Sequence, residues 1–219
     1  MNAPVSPPVD DVEHLAQDAA APVRKRARPG ERREQILQTL AAMLEQPGAE
    51  RITTAALAAR LEVSEAALYR HFASKAQMFE GLIEFIEQSV FSLISQITTT
   101  GAGDGRQQVA RIVAMLLQFG EKNPGMARVM VGDALVFENE RLQQRMNLFF
   151  DKIESVLRQS LRDGALGEGS STPGLDAQVQ AVVLTAFVVG QLQRFTRSGF
   201  RRVPTDKLDA CLSRMLFIA

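Results

Sequence analysis

Apolar residues recur at intervals of three and four along most of this chain, which is the spacing of one face of an α-helix. The repeat begins near Glu31 and continues to the C-terminus, with breaks at short groups of Gly, Pro and Ser. No segment alternates strictly enough to indicate a strand. Leu, Ala, Val and Met are abundant, Trp is absent and Tyr occurs once, a composition that favours helices. The pattern therefore predicts an all-α fold.

The breaks in the repeat give the expected order of helices. The first helix starts at Glu31 and ends before Pro47-Gly48, and a long helix runs from Ser74 to about Thr98 after two short ones. The remaining expected segments are Arg106 to Lys122, Pro124 to Val131, one or two helices within Ala134 to Arg162, a loop over Asp163 to Gly174, a helix from Asp176 to about Arg197, and a final helix ending in Leu216, Phe217 and Ile218. The long helix is apolar on more than one face, which indicates that it links the N-terminal helices to the rest.

Two short helices joined by a tight turn are predicted between residues 53 and 71. Thr53 and Ser64 are favourable N-cap residues for these helices, and Ser74 with Gln77 has the spacing of a capping box for the next. This is the layout of a helix-turn-helix, whose second helix can lie in the major groove of DNA. The alternative is an ordinary pair of core helices.

Nine residues are candidates for DNA contact through this motif. Hydroxyl groups and helix N-termini commonly meet phosphates, small side chains allow close approach to the groove, and aromatic or basic side chains offer hydrogen bonds. The candidate DNA-binding residues are Thr53, Thr54, Ser64, Ala66, Ala67, Tyr69, Arg70, His71 and Lys75. Arg70 is also able to pack or pair within the motif, whereas Lys75 is expected to contact a phosphate.

The formal net charge is zero, but the charge is unevenly distributed. Residues 24–80 hold ten Lys and Arg against seven Asp and Glu, and Arg24–Arg33 alone holds six bases and one acid. Such a cluster suits phosphate contacts, or is a solvated charge run. We expect a disordered tail over residues 1–28, a helix-turn-helix DNA-binding domain over 29–75, and a helical core for dimerisation and partner binding over 76–219.

The segment from Asp176 to Arg197 carries apolar residues on nearly every side. Its longest apolar run, Ala181–Val189, is far shorter than a membrane span, so no membrane partner is expected. Pairing with a second copy would bury the excess apolar surface. A two-fold homodimer would also present two recognition helices to the half-sites of a palindromic double-stranded DNA, roughly 34–36 Å apart.

The chain lacks the features of an enzyme. His14 and His71 are its only histidines, no metal-ligand spacing is present, and acidic pairs such as Glu84 with Glu87 look like solvent-facing helix residues. We therefore expect no catalytic residue, cofactor or metal. The single cysteine, Cys211, excludes an internal disulfide, and the N-terminus is unlike a signal peptide, so a cytoplasmic protein is expected.

Several segments resemble a known family. Val63–Phe72 (Val-Ser-Glu-Ala-Ala-Leu-Tyr-Arg-His-Phe), followed by Ser74-Lys75, resembles the recognition-helix signature of the TetR family of bacterial DNA-binding dimers. Three segments are similar to one branch of that family, the nucleoid occlusion factors: Leu82–Glu87, Phe119–Gly125 and Ala134–Gln143. The resemblance covers about residue 30 to the C-terminus. It implies a TetR-like fold, with an N-terminal three-helix unit and a C-terminal dimerisation core.

The resemblance also implies a function and a second site. Nucleoid occlusion factors bind palindromic DNA dispersed over the chromosome and, while on DNA, bind the division protein FtsZ and antagonise its polymerisation. Such a protein is cytoplasmic and associated with the nucleoid. The FtsZ tail would lie in a groove between the fourth and fifth helices, lined or flanked by Phe85, Met115, Lys122 and Asn123. An apolar strip edged by a cation suits a peptide of mixed chemistry. Phe85 and Met115 are otherwise core residues, and Lys122 a solvated helix end.

One departure and two alternatives accompany this hypothesis. Glu62 stands in the turn where the family commonly has Gly, and a left-handed Glu would cost roughly 1 kcal/mol or more. The main functional alternative is a TetR-type repressor that leaves DNA when a small molecule fills its core, although the bulky aliphatic residues of the fifth helix disfavour such a cavity. A helical interaction module that does not bind DNA is the other alternative.

Overall fold

The fold was examined in a computed structural model that describes residues 30–46, 52–100, 104–164 and 172–216. The predicted tail over 1–28, the Pro47-Gly48 break, most of the Arg24–Arg33 cluster and the last three residues lie outside this part of the chain. The described residues form nine α-helices and one 3-10 turn, and no strand is found among them. The α-helices are α1 (Glu31–Leu44), α2 (Thr54–Arg60), α3 (Glu65–Tyr69), α4 (Lys75–Thr99), α5 (Gly105–Lys122), α6 (Pro124–Met130), α7 (Glu140–Gly164), α8 (Pro173–Arg197) and α9 (Leu208–Leu216).

The helix order confirms the all-α prediction, and two boundaries differ from it. Only one long helix forms within residues 134–162, because Gly132 turns the chain with a φ of 83° into a 3-10 turn, Asp133–Leu135. The Asn139 side chain then accepts a hydrogen bond from the backbone N–H of Arg141 (3.1 Å) and starts α7 at Glu140. The loop predicted over 163–174 is shorter, since α7 continues through Gly164 and α8 begins at Pro173.

The N-terminal helices α1 to α4 share one apolar interior. Side chains from all four helices and from the turn between α3 and α4 are almost completely buried: Ile36, Leu40, Leu44, Leu57, Leu68, Phe72, Met78 and Phe79. Arg33 of α1 lies over the Phe72 ring, with its guanidinium carbon 4.4 Å from the ring centroid. Because α4 contributes to this interior with its first turns and has 25 residues in all, it belongs to both parts of the molecule.

The helix-turn-helix unit meets the rest of the protein where α6 packs on the end of α1. A Cβ atom at Gly125 would lie 2.0 Å from the carbonyl oxygen of Ala41, so only glycine permits this approach. Arg128, one turn later in α6, donates a hydrogen bond from Nη1 to the carbonyl oxygen of Leu44 (3.2 Å). This places a cation at the C-terminal end of α1, where the helix dipole favours positive charge.

The core of the C-terminal part is built on α5, α7 and α8, which pack against one another. The inward face of α5 is completely buried through Val109, Ile112, Val113, Leu116 and Leu117. At the end remote from the helix-turn-helix unit, α5 and α7 come close enough to touch. A Cβ atom at Gly105 would lie 1.9 Å from the carbonyl oxygen of Ser160 and 2.9 Å from the backbone nitrogen of Gly164.

One face of α8 is left uncovered. Its exposed apolar residues recur at helical spacing and include Leu175, Val179, Val182 and Val183, while the opposite face packs against α5 and α7. Among the described residues, α8 alone is long and apolar enough to cross a membrane by length and composition. A helix that packs on the core with one face and on a second copy of the protein with the other has the same composition.

We expect Gly125→Ala to lower the free energy of unfolding by about 1–3 kcal/mol, because the added methyl group forces α6 away from α1. Gly174→Ala is the matched control. Gly174 also follows a proline at the start of a helix, and its Cβ would meet nothing within 4 Å. Urea denaturation of both variants measures the difference. Equal stabilities would show that the α1–α6 contact relaxes without cost.

Candidate nucleic-acid interface

Three N-caps define the ends of the helices in the predicted motif. The Thr53 hydroxyl accepts a hydrogen bond from Ala56 N–H (3.1 Å), and that of Ser64 accepts one from Ala67 N–H (3.3 Å). Ser74 accepts from Gln77 N–H (3.2 Å), and the Gln77 side chain in return accepts from Ala73 N–H (2.9 Å). The predicted caps are therefore confirmed.

The turn between α2 and α3 has the left-handed residue that the sequence suggested. Glu62 has a φ of 53°, which a side chain with a Cβ adopts at a cost of about 1 kcal/mol or more. Backbone hydrogen bonds hold the conformation, from Glu62 N–H to Ala59 carbonyl (3.1 Å) and from Val63 N–H to Ala58 carbonyl (3.0 Å). The turn keeps its geometry although glycine is missing from it.

The candidate recognition helix presents most of its predicted contacts to solvent. Tyr69 is 45% exposed at the end of α3, and Ser64, Ala66, Arg70 and His71 are exposed around it. Thr53, at the start of α2, is exposed, whereas Ala67 is half-buried. The helical segment of α3 ends at Tyr69, so Arg70 and His71 lie in the turn that follows it. Most of these side chains are accessible, as DNA contact requires.

Thr54 is bound within the motif. Its hydroxyl donates a hydrogen bond of 2.5 Å to the carboxylate of Glu65, the first residue of α3. The predicted phosphate contact of Thr54 would compete with this bond. Glu65 was not among the predicted site residues, and its spacing of eleven residues from Thr54 gave no local signal. The bond joins α2 to α3.

Lys75 is also bound in the structure. Its ammonium group forms an ion pair with Glu138, which lies 63 residues later, just before α7. The Lys75 side chain is 27% exposed and that of Glu138 is 10% exposed. The Lys75 ammonium also lies 5.7 Å from the centre of the Phe79 ring. The residue predicted as a phosphate contact is thus neutralised by a partner that the sequence did not indicate.

Two further ion pairs follow along α4 and α7. Arg141 contacts Glu80 at 2.5 Å, and Arg145 binds Glu87 through two hydrogen bonds of 2.6 and 3.2 Å. The interpretation of Glu87 as a solvent-facing residue is therefore wrong, because its carboxylate is directed at α7. The hydrogen bond with Glu87 raises the pKa of the Arg145 guanidinium above its usual range, against the opposing effect of partial burial. These pairs hold α7 against α4.

The residues of the second candidate site lie on α4 and α5, which are in contact. Phe85 is 46% exposed on α4, so it is not a core residue. Met115 is half-buried and packs against the core, and Lys122 is exposed at the end of α5. The Asn123 side-chain amide donates a hydrogen bond to the carbonyl oxygen of Phe119 (2.8 Å), which terminates α5 before Pro124 begins α6.

Comparisons with known proteins decide the family. Residues 36–82 match the family model of bacterial regulatory proteins of the tetR family, and residues 104–217 match the SlmA-like model of the tetracyclin repressor-like C-terminal domain. The chain is 50% identical over 184 residues to a nucleoid occlusion factor SlmA of Vibrio atlanticus, covering 84% of this chain and 93% of that protein. It is 52% identical to the SlmA of Vibrio cholerae, covering 81% and 90%. The chain belongs to the SlmA branch of the TetR family.

Solved structures agree on the fold of this SlmA-type chain. The fatty acid degradation regulator FadR from Bacillus halodurans matches with a TM-score of 0.70 at 14% identity, covering 87% of this chain and 97% of that one. AibR, solved with isovaleryl coenzyme A and operator DNA, matches with a TM-score of 0.63 at 17% identity, covering 84% and 97%. The TetR-like prediction is confirmed. As the family consists of DNA-binding regulators, the SlmA-type chain is not an enzyme.

We expect Ser64→Ala to lower the free energy of unfolding by about 1 kcal/mol, because the first N–H groups of α3 lose their cap. Ser155→Ala is the control, since Ser155 is an exposed residue inside α7 and its loss should change stability by less than about 0.5 kcal/mol. Thermal unfolding followed by circular dichroism compares the two. If Ser64→Ala unfolds at the temperature of the unaltered chain, the cap does not stabilise the recognition helix.

Proposed function

We propose that this protein is a nucleoid occlusion factor: a homodimer that binds palindromic double-stranded DNA and, while bound, binds FtsZ and antagonises its polymerisation. The observation that carries the proposal is the identity of about one half, over more than four fifths of the chain, to proteins named nucleoid occlusion factor SlmA. The exposed face around Tyr69 and the uncovered face of α8 supply the two physical requirements, a DNA-reading surface and a surface for a second copy.

In the proposed DNA complex, α3 enters the major groove with its N-terminal end first. Ala66 and Ala67 allow close approach and contact thymine methyl groups, while Ser64 reaches a phosphate or a base edge. Tyr69 and His71 donate to phosphates, as do Thr53 and Thr54 at the start of α2 and Arg70 and Lys75 around the motif. The exposure of most of these side chains supports the assignment. The protein would then lie in the cytoplasm on the nucleoid.

We propose two functional domains, which meet where α6 packs on α1. Residues 29–75 bind DNA, and residues 76–219 form the core for dimerisation and partner binding. The apolar residues on the uncovered face of α8 pair with the same face of a second copy, because a two-fold interface must be complementary to itself. The dimer would hold two recognition helices at the spacing of the half-sites in a palindrome.

The FtsZ site is proposed on the surface formed by α4 and α5. Phe85 offers an exposed aromatic ring, Met115 a flexible apolar surface, and Lys122 a charge at the rim. Asn123 shapes the end of the surface because its amide holds the last turn of α5. A short peptide with apolar and acidic residues fits this combination, since aromatic anchors supply most of the binding energy and the charge supplies orientation.

The alternative, a repressor released by a small molecule, is supported less well. The inward face of α5 is completely buried, so this part of the core is filled. A cleft of about 420 Å³ between the end of α6, α7 and α8 has apolar and polar lining residues, among them Met146, Phe150 and Gln193. Because this cleft borders the uncovered face of α8, a second copy is expected to cover it.

The proposal is tested by mixing the purified protein with a labelled FtsZ tail peptide, with and without a palindromic duplex selected by the protein from a random-sequence pool. We expect saturable binding of the peptide and stronger antagonism of FtsZ polymerisation when the duplex is present. Light scattering measures the polymers and fluorescence anisotropy measures the peptide. No peptide binding, together with release of DNA by a small ligand, would support the repressor instead.

We expect Phe85→Ala to weaken binding of the FtsZ peptide about ten-fold or more, because an exposed aromatic anchor is lost. Val203→Ala is the control, since Val203 is exposed to the same degree (45%) between α8 and α9. Lys122→Ala should weaken binding mainly at low salt, with exposed Lys152 of α7 as its matched control. Unchanged affinity in both site variants would contradict the location of the site, although DNA binding would remain.

A further inference from the structure

The ion pair between Lys75 and Glu138 joins two parts of the protein that the sequence separates by 63 residues. Lys75 is the first residue of α4 and directly follows the helix-turn-helix, whereas Glu138 lies in the segment Gly132–Asn139 that connects α6 to α7. Within that segment Val136 and Phe137 are the most exposed large apolar residues, at 61% and 66%. The pair therefore connects the proposed DNA-binding surface to an exposed apolar surface of the C-terminal part of the protein.

We propose that Glu138 competes with DNA phosphate for Lys75, so that DNA binding releases the Gly132–Asn139 segment. This inference rests on the proposed function, because it takes Lys75 as a phosphate contact. In the free protein the carboxylate neutralises the Lys75 ammonium and lowers the affinity for DNA. On DNA the ammonium turns to a phosphate, and Glu138 loses its cation.

The burial of Glu138 couples the transfer of Lys75 to a phosphate with the release of the segment. Its side chain is only 10% exposed, and a carboxylate removed from water is strongly disfavoured unless a cation or hydrogen-bond donors compensate it. When Lys75 turns to a phosphate, Glu138 loses this compensation, and an outward movement of the segment would let its carboxylate reach water. By reciprocity, a ligand that binds the segment in its moved position raises the affinity for DNA by the same factor by which DNA raises the affinity for that ligand.

The segment is built to move at one end. Asp133 is tied to α8, where the Thr196 hydroxyl donates a hydrogen bond of 2.8 Å to its carboxylate. Gly132, before it, has a φ of 83°. Beyond the 3-10 turn Val136 and Phe137 are exposed to solvent, and the contacts with α4 are those of Glu138 with Lys75 and, after the segment has ended, of Arg141 with Glu80. Release of Glu138 would therefore shift Val136 and Phe137 while Asp133 stays in place.

A double-variant cycle on the full chain tests the competition. Binding of the selected duplex is measured by anisotropy over a range of salt concentrations for the unaltered chain, Glu138→Gln, Lys75→Met and the double variant. Glu140→Gln is the control, because it removes the same charge from an exposed residue two positions away, whose carboxylate is bonded to Gln144. We expect Glu138→Gln to bind about five-fold tighter and with a logarithmic salt slope steeper by about one unit, since no Glu138 carboxylate is left to take up a cation when Lys75 turns to the phosphate. Lys75→Met should weaken binding to all sequences alike and reduce the slope by about one unit relative to Glu138→Gln.

In the Lys75→Met background, Glu138→Gln should change the affinity no more than Glu140→Gln does. The proposal is overturned if Glu138→Gln and Glu140→Gln have the same effect, or if the gain persists without Lys75. If the unaltered chain binds no duplex at all, the proposed function fails and the inference fails with it. If it binds and Glu138 has no special effect, the inference alone is wrong.

A second measurement uses the unaltered chain and so does not depend on the folding of a variant. Hydrogen–deuterium exchange is followed with and without the duplex. We expect amides of residues 136–139 to exchange faster on DNA, while those of α8 around Thr196 remain protected. Equal exchange of residues 136–139 in both states would overturn the proposal.

Discussion

The architecture depends on the close backbone contact between α6 and the end of α1. At this point the helix-turn-helix unit is fixed to the core without an intervening side chain, because Gly125 lies against the Ala41 carbonyl. The Arg128 guanidinium completes the contact at Leu44. Together with the uninterrupted helix α4, this gives two attachments between the parts of the protein, besides the Lys75–Glu138 ion pair. Two attachments fix an orientation where one would leave a hinge, so the DNA-reading surface keeps a defined direction relative to the core.

Ion pairs connect α4 to α7 and to the segment before it. Glu80 and Glu87 bind arginines of α7, whereas at the N-terminal end of α4 the cation lies on α4 itself and the carboxylate is Glu138. Arginine pairs with two hydrogen bonds hold their geometry, whereas a lysine ammonium is a point charge on a flexible stem. The pair of Arg145 with Glu87 is thus the firmer one, and the Lys75–Glu138 pair at the start of α4 is the one that we propose exchanges with DNA phosphate.

Local signals in the sequence predicted most of the fold, but not the side-chain partners of the candidate site residues. Caps such as Ser64 and Ser74 depend on residues within four positions, so their pattern was sufficient to place α3 and α4. The left-handed turn at Glu62 was also predictable, because turn geometry is local. The pairs Thr54–Glu65 and Lys75–Glu138 were not, because they span 11 and 63 residues and depend on how the helices pack. Tertiary contacts therefore modify the roles of the predicted site residues while leaving their positions intact.

The touching backbones of α5 and α7 at Gly105 and Gly164 have a mechanical consequence. With almost no side-chain layer between them there, the two backbones resist sliding, and a tilt of α7 against its ion pairs with α4 would pivot about this end. From Gly164 to Glu140 the helix has 25 residues, a lever of roughly 37 Å at 1.5 Å per residue. A tilt of about 3° would then displace the far tip by about 2 Å. A tilt that barely changes the contact at Gly105 and Gly164 would thus move the start of α7, next to Glu138, by more than the length of a covalent bond.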